Sequence, residues 1–213
     1  MASTPHVPKF QRATPAVRRE ALVEATLQSL REHGYEGASI RRISAAAGVS
    51  IGLINHHFKS KAELIAAAYE SLAISLQDSM RAQVSNTQAS PRQRLSGFFR
   101  ASFAPELIDP AIFNVWLVVW SMVLHSPEMR SVHDRTYREY RDMLESLLSA
   151  LDEAGDAPAF KPQPAAIALS ALLDGLWIEL SLSPATFTAH DAIGLCEDWV
   201  SALCAGALPG LLV

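Results

Sequence analysis

Apolar residues recur at helical spacing along nearly the whole chain, and this pattern predicts an all-α protein of about nine helices. Three helices are expected to start where Ser or Asp directly precedes Pro, because such a side chain caps the first turn and proline is favoured at the first helical position. Neither strand-like alternation nor an internal repeat is visible. The expected helices cover about 15–33, 39–46, 50–57, 61–84, 91–105, 110–125, 127–153, 164–182 and 188–205.

The stretch 38–64 predicts two short helices joined by a tight turn. Ser39 and Ser50 are the expected N-caps, and Gly48 is expected in the turn because glycine readily adopts left-handed backbone. Two short helices joined in this way form a helix-turn-helix, whose second helix enters the major groove of DNA. A capping box is expected at 60–63, where the next helix begins.

The second short helix has Ile51, Ile54 and Phe58 as its repeating apolar positions. Asparagine can bind adenine through two hydrogen bonds, so Asn55 is the first candidate for a specific contact. The residues expected to read base edges are Ser50, Leu53, Asn55 and His56. The residues expected to hold phosphates are Ser39, Arg41, Arg42, His57 and Lys61.

Positive charge is concentrated in the N-terminal part of the chain. Residues 1–61 contain nine Lys and Arg against four Glu, a formal charge of +5, so the remainder of this chain of net charge −4 carries −9. A basic head on an acidic body is expected when only one part of a protein meets a polyanion. We expect a flexible arm at 1–14, a DNA-binding domain at 15–62 and a ligand-binding and dimerisation domain at 63–213.

The helix-turn-helix resembles the DNA-binding domain of the tetracycline-repressor family of bacterial regulators. The resemblance rests on Ala47-Gly48-Val49-Ser50, Gly52, Ile54, His57-Phe58 and Lys61. His56 stands where the family often has a tyrosine whose hydroxyl contacts a phosphate. The resemblance implies a repressor of palindromic, double-stranded operator DNA that acts in the bacterial cytoplasm, associated with the nucleoid.

The last two predicted helices are small or apolar nearly all round and therefore require burial on two faces. The resemblance implies that they pair with their copies across a two-fold axis as a four-helix homodimer bundle. Leu172 and Leu203 are the positions expected to be buried in that bundle. The alternative is an ordinary pair of core helices.

The sequence contains no catalytic constellation, no phosphate-binding loop and no histidine cluster at metal-ligand spacing. We therefore expect a protein that is not an enzyme and needs neither a cofactor nor a metal. Cys196 and Cys204 lie on one predicted helix at a spacing that prevents a disulfide between them, as expected in a reducing cytoplasm. Neither a signal peptide nor a membrane-spanning segment is expected.

The tryptophans are the most informative residues of the acidic body. Trp116 and Trp120 share one helix face, and Asp174 and Trp177 share another. Indole rings bind cations well, and aromatic cages for quaternary ammonium ions are built in this way, so three rings and a carboxylate suit a small cation such as choline. The alternative is that the three tryptophans fill the hydrophobic core.

The runs 114–120, 125–127 and 173–177 are similar to the branch of the family that contains a choline-responsive repressor of glycine-betaine synthesis. This resemblance implies choline or betaine aldehyde as the effector. In this interpretation the helix at 61–84 is the only segment that joins the pocket to the DNA-binding head. Three alternatives are a repressor with an unrelated apolar effector, a helical small-molecule-binding protein or enzyme whose head is secondary, and an activator or architectural DNA-binding protein.

Overall fold

The computed structural model describes residues 14–155 and 159–213, which form nine α-helices and one short 3-10 turn at Pro209–Leu211. Most of the predicted N-terminal arm and part of the predicted loop after residue 153 lie outside the described residues. The all-α prediction is confirmed. The helices are α1 (Pro15–Gly37), α2 (Ile40–Ala46), α3 (Ile51–His57), α4 (Lys61–Val84), α5 (Pro91–Ser102), α6 (Pro110–Val123), α7 (Pro127–Glu153), α8 (Pro162–Leu182) and α9 (Ala189–Cys204).

The predicted helix starts depend on side-chain caps that the structure contains. Ser90, Asp109 and Ser126 each accept a hydrogen bond from a backbone N–H in the first turn of α5, α6 and α7. The capping box predicted for α4 is only half formed. Ser60 accepts from the N–H of Glu63, but the Glu63 carboxylate accepts from the N–H of Lys59 instead of the Ser60 N–H.

Two glycines set the path of the chain through the N-terminal helices. Gly34 interrupts α1 with φ 61° and ψ −164°, at the position where the sequence predicted the helix end. Gly48 has φ 64° between α2 and α3, as expected for the turn. Nothing lies within 4 Å of a Cβ built on either residue, so backbone conformation and not space requires glycine there.

The hydrophobic residues form two clusters. One cluster joins α1, α2, α3 and the first half of α4 to α6, whereas the other joins the end of α4 to α5, α7, α8 and α9. Ile112 and Val115 of α6 belong to the first cluster together with Leu30 of α1. The expectation that α4 alone connects the body to the head is therefore wrong, because α6 is apolar on more than one face and buries one of them against α1.

The outer faces of α8 and α9 correct the predicted interface positions. Leu203 is fully buried within the protomer, and Leu172 packs at the edge of the second cluster. Large apolar side chains are instead exposed at Ile167, Leu182 and Leu195. The sequence pattern identified both helices as apolar on two sides but did not show which side faces the core. By length and composition alone α8 could cross a membrane, a test that core helices of soluble proteins also pass.

The chain after α9 folds back onto the segment before α8. Phe160 and Leu212 form an isolated antiparallel bridge, and the Lys161 N–H donates to the Leu211 carbonyl over 2.8 Å. No alternation in the sequence predicted this contact. It fixes the C-terminal residues against the start of α8.

Candidate nucleic-acid interface and ligand pocket

The exposed face of α3 carries most of the residues that were expected to read bases. Ser50 caps the helix by accepting from the N–H of Leu53, and Ile54 and Phe58 are buried. Asn55 and His56 are exposed, while Leu53 is half-buried.

Ile51 departs from the predicted pattern. It is 41% exposed and therefore does not belong to the buried stripe of α3. Ile51 thus adds an apolar side chain to the exposed face, where it could contact a thymine methyl group.

The residues expected to hold phosphates differ in their exposure and in their contacts within the protein. Arg41 is exposed, and His57 is half-buried beside Phe58. Ser39 caps α2 by accepting from the N–H of Arg42. The guanidinium of Arg42 donates to the Gly37 carbonyl over 2.7 Å, so this side chain also holds the end of α1.

Lys61 joins the start of α4 to the end of α1. Its ammonium group donates to the Tyr35 carbonyl over 2.9 Å and lies 4.0 Å from the centroid of the Tyr35 ring. Burial lowers the pKa of Lys61, and the negative charge of Glu36 partly opposes that shift. In the free protein, Lys61 thus stabilises the packing of the head as well as adding positive charge.

A cavity of about 100 Å³ lies between α4, α6, α7 and α8. A water molecule needs roughly 10–15 Å³ by a comparable measure, so a small organic molecule fits this space. The lining residues are Tyr69, Ala73, Leu76, Gln77, Met80, Ser102, Phe103, Leu107, Trp116, Trp120, Thr136, Tyr137, Tyr140, Leu173, Asp174 and Trp177.

The three tryptophans expected to form a cage meet on one side of this cavity. The ring centroid of Trp177 lies 6.2 Å from that of Trp116 and 6.3 Å from that of Trp120, with interplanar angles of 75° and 89°. Trp116 and Trp120 are 6.2 Å apart. The Trp177 indole N–H donates to the Leu107 carbonyl over 3.1 Å, which fixes its orientation. All three rings are half-buried and line the cavity.

Asp174 lies beside these rings in an unfavourable environment for a carboxylate. Burial raises its pKa to about 7. Within residues 14–155 and 159–213, no hydrogen bond or ion pair to this carboxylate is found. Because an unpaired charge is costly in an apolar environment, a bound cation would stabilise the ionised form. Three indole faces and one carboxylate therefore form a site with the chemistry of a cation cage.

The sequence pattern did not reveal the polar wall of the cavity, which α4 and α7 build from Tyr69, Gln77 and Thr136. The Tyr69 hydroxyl lies 3.0 Å from Thr136 Oγ1, and the Gln77 amide donates to the Thr136 carbonyl over 2.7 Å. Burial raises the pKa of Tyr69 to about 12. One signal was available, because Gln77 occupies an inward position of α4 among apolar residues.

The other candidate chemical groups do not form a second site in the described part of the chain. No group of three His, Cys, Asp or Glu residues is arranged there to hold a metal ion. His133 is half-buried, and its Nδ1 lies 3.2 Å from the Tyr69 hydroxyl. Cys196 is buried, and burial raises the pKa of its thiol to about 12, so it is a poor nucleophile.

Two family models match the chain. Residues 22–68 match the model of bacterial regulatory proteins of the tetR family, and residues 91–205 match the model of the C-terminal domain of BetI-type transcriptional repressors. The HTH-type transcriptional regulator BetI of Pectobacterium atrosepticum is 32% identical over 188 residues, which cover 86% of this chain and 92% of that protein. BetI of Burkholderia thailandensis is 30% identical over 190 residues, covering 89% and 94% of the two chains.

Solved structures have the same architecture. A transcriptional regulator from Pseudomonas aeruginosa PAO1 is 45% identical, with a TM-score of 0.86 over 95% of this chain and 98% of that one. A transcriptional regulator from Saccharomonospora viridis in complex with choline is 22% identical, with a TM-score of 0.75 over 87% and 96% of the two chains. At that identity the second likeness shows the fold alone.

The raised pKa of Asp174 predicts that the free energy of unfolding falls as pH rises from about 4 to about 7. The ordinary pKa of this carboxyl is 3.8, and it titrates near 7 in the folded protein, so only the folded state is protonated between these values. Asp174→Asn should therefore be more stable than the wild type at pH 8, by roughly 1–3 kcal/mol after allowance for solvent screening, and similar to it near pH 4. Urea unfolding at both pH values measures the difference.

Asp191→Asn is the control for this prediction. Asp191 is exposed, and hydrogen bonds from Thr188 lower the pKa of its carboxyl. Its contribution to stability is present above the unfolded-state pKa and is lost as pH falls, so this substitution should destabilise the protein at pH 8. An Asp174→Asn variant that is no more stable than the wild type at pH 8 would contradict the assigned environment.

Proposed function

The chain belongs to the tetR family of bacterial regulatory proteins, with the C-terminal domain of BetI-type repressors, and we propose that it leaves its operator when a quaternary ammonium ion enters the cavity. The protein is thus a transcriptional repressor and not an enzyme. The observation that carries the proposal is the meeting of three indole rings around the unpaired carboxylate of Asp174.

Choline or betaine aldehyde is the proposed effector. Each carries a trimethylammonium group, whose methyl groups suit the faces of Trp116, Trp120 and Trp177 and whose charge pairs with Asp174. The BetI relatives and the choline complex of the Saccharomonospora viridis regulator support this ligand class. Much of the remaining lining is apolar, with Met80, Phe103 and Leu173 among its residues. An uncharged apolar effector is therefore the second candidate, since protonated Asp174 would tolerate it.

The head proposed at 15–62 binds DNA through α3 and the N-terminus of α2. The residues proposed to face base edges are Ser50, Leu53, Asn55 and His56, and the structure adds Ile51. The residues proposed to face phosphates are Ser39, Arg41, Arg42, His57 and Lys61. The positive charge of residues 1–61 and the exposure of Asn55 support this assignment. Binding to operator DNA would associate the protein with the nucleoid.

Two helices connect the proposed effector to the head. Trp116 and Trp120 lie on α6, which packs against α1, while Tyr69 lies on α4 and contacts the Trp116 ring at 5.3 Å. Insertion of a cation between the rings would shift α6 against α1 and α4, and so move α3. The effector empties the operator if it binds the DNA-free form of the protein more tightly than the DNA-bound form by a few kcal/mol.

A homodimer formed by α8 and α9 of residues 63–213 is proposed to set the spacing of the two heads. This interface is supported by large apolar side chains that are exposed on α8 and α9, at Ile167, Leu182 and Leu195. Apolar faces of this kind are normally covered by another protein surface. A two-fold dimer would place its recognition helices about 34–36 Å apart, or a near multiple, to match a palindromic operator.

For DNA binding, Asn55→Ala should change the sequence preference, because it removes the proposed base contact. Arg41→Ala should weaken binding to all sequences alike and reduce the salt dependence by about one phosphate contact. Arg41 is a cleaner test than Lys61, whose loss would also disturb Tyr35. Titrations of operator and scrambled DNA at several salt concentrations measure both effects. Equal loss of specificity in the two variants would overturn the assignment.

For dimerisation, Ile167→Arg and Leu195→Arg should give folded monomers with little operator affinity, because each places a charge in the proposed bundle. Leu203→Arg should instead destabilise the protomer itself, since Leu203 is buried in the core. Sedimentation velocity combined with thermal unfolding separates these outcomes. Unchanged dimers of both surface variants would place the interface elsewhere.

For the effector response, Asp174→Asn and Trp120→Ala should bind operator normally but bind choline about 10- to 100-fold more weakly, because an ion pair or a cation–π contact is lost. Choline affinity of the wild type should rise as pH increases through about 7, when Asp174 ionises. Glu179→Gln, an exposed substitution on the same helix, is the control and should match the wild type. If calorimetry detects no binding of choline or betaine aldehyde, the three tryptophans only fill the hydrophobic core.

A further inference from the structure

The polar wall of the cavity has a fixed direction of hydrogen bonding, which begins at Thr136. Its hydroxyl oxygen lies 3.0 Å from the Val132 carbonyl oxygen and 3.2 Å from the His133 carbonyl oxygen. Carbonyl oxygens only accept, and a hydroxyl has one proton, so Thr136 donates that proton to its own helix. In the 3.0 Å contact between Thr136 and Tyr69, the Tyr69 hydroxyl must therefore be the donor.

This assignment determines the state of His133. Because the Tyr69 proton is used by Thr136, the 3.2 Å contact between His133 Nδ1 and the Tyr69 oxygen is a hydrogen bond only if Nδ1–H donates. The imidazole also stacks between the rings of Tyr69 and Tyr137, with interplanar angles of 28° to both. His133 thus acts as a positioning residue that, together with Thr136, fixes the hydrogen bonds of the Tyr69 hydroxyl and leaves its oxygen one lone pair for a ligand.

Gln77 supplies the complementary group. Its amide nitrogen donates to the Thr136 carbonyl over 2.7 Å, and its amide oxygen accepts from Arg81 over 3.2 Å, so the amide orientation is determined. The second N–H of this buried amide has no partner among the described residues. The wall therefore offers the cavity one acceptor, the Tyr69 oxygen, and one donor, the Gln77 N–H.

We propose that this wall recognises a hydroxyl group, so that the cavity selects a quaternary amino alcohol over the aldehyde or the acid with the same cationic head. A hydroxyl can donate to Tyr69 and accept from Gln77 at once. An aldehyde oxygen only accepts and would leave the remaining lone pair of the Tyr69 oxygen without a donor, whereas a carboxylate would face the negative charge of Asp174. The inference rests on the cation site proposed above and deepens it.

The dimensions of the cavity agree with a small amino alcohol. Burial is the main cause of the raised pKa of Tyr69, and the nearby charge of Asp174 adds to it. Both groups line one space of about 100 Å³. A ligand can therefore contact both only if its cationic head and its hydroxyl are separated by a short chain.

The test compares choline with trimethylpropylammonium, in which a methyl group replaces the hydroxyl at nearly equal size. Calorimetry at pH 8 should find choline about tenfold tighter in the wild type, as expected for a satisfied hydrogen bond. Tyr69→Phe should abolish the difference by weakening choline binding alone. Equal affinities in the wild type, or an unchanged ratio in Tyr69→Phe, would overturn the proposal while leaving the cation site intact. Failure of both ligands to bind would overturn both proposals.

Two further measurements test the role of His133. Nitrogen-15 NMR of the imidazole at pH 8 should show the Nδ1–H tautomer of His133, and the Nε2–H tautomer would contradict the assigned hydrogen-bond direction. His133→Asn, which can retain a donor near the Nδ1 position, should keep the preference for choline, whereas His133→Leu should reduce it. Thermal unfolding of each variant checks that the fold is retained. Equal ratios in the two His133 variants would remove its positioning role.

Discussion

The unpaired carboxylate of Asp174 in an aromatic cavity is the constraint on which the functional account depends. Burial without a partner makes the ionised form unfavourable and raises the pKa of this carboxyl to about 7. The same feature makes the site responsive, because a cation that enters between the rings relieves the cost and gains contact with three indole faces. A carboxylate already paired with Arg or Lys would gain far less from the same ligand.

The position of α6 gives this local chemistry a route to the head. One face of the helix presents Trp116 and Trp120 to the cavity, and another is buried against α1 in the cluster that contains Ile54 and Phe58 of the DNA-binding region. Packed cores resist continuous deformation, so a ring displaced in the cavity must be accommodated by movement of whole helices. The α4 helix, which carries Tyr69 and Lys61, offers a second route, and Lys61 links its start to the end of α1.

Helix caps and apolar spacing predicted the helices well because both depend on residues that are close in the sequence. Cap residues and apolar spacing gave the bounds of α4 that the structure shows, and Gly34 and Gly48 marked real breaks. Ile51 and Leu203 were misassigned because spacing shows which residues share a face but not whether a neighbouring element covers it. The tryptophans and Asp174 were identified from the cation-binding chemistry of indole rings and from the resemblance to the choline-responsive branch of the family. Thr136, which orients Tyr69 from 67 residues away, depends on the packing of α7 against α4, and no local pattern marks it.

Coupling between the cavity and the DNA-binding head must be thermodynamically reciprocal. If choline releases the operator by favouring a different arrangement of α6 and α4, operator-bound protein must bind choline more weakly than free protein, by the same factor by which choline weakens operator binding. Calorimetric titration of choline into the free protein and into its operator complex measures that factor. We expect choline affinity to be clearly lower in the complex, by a factor that matches the separately measured loss of operator affinity. Equal choline affinities in the two titrations would show that the cavity and the head are not coupled.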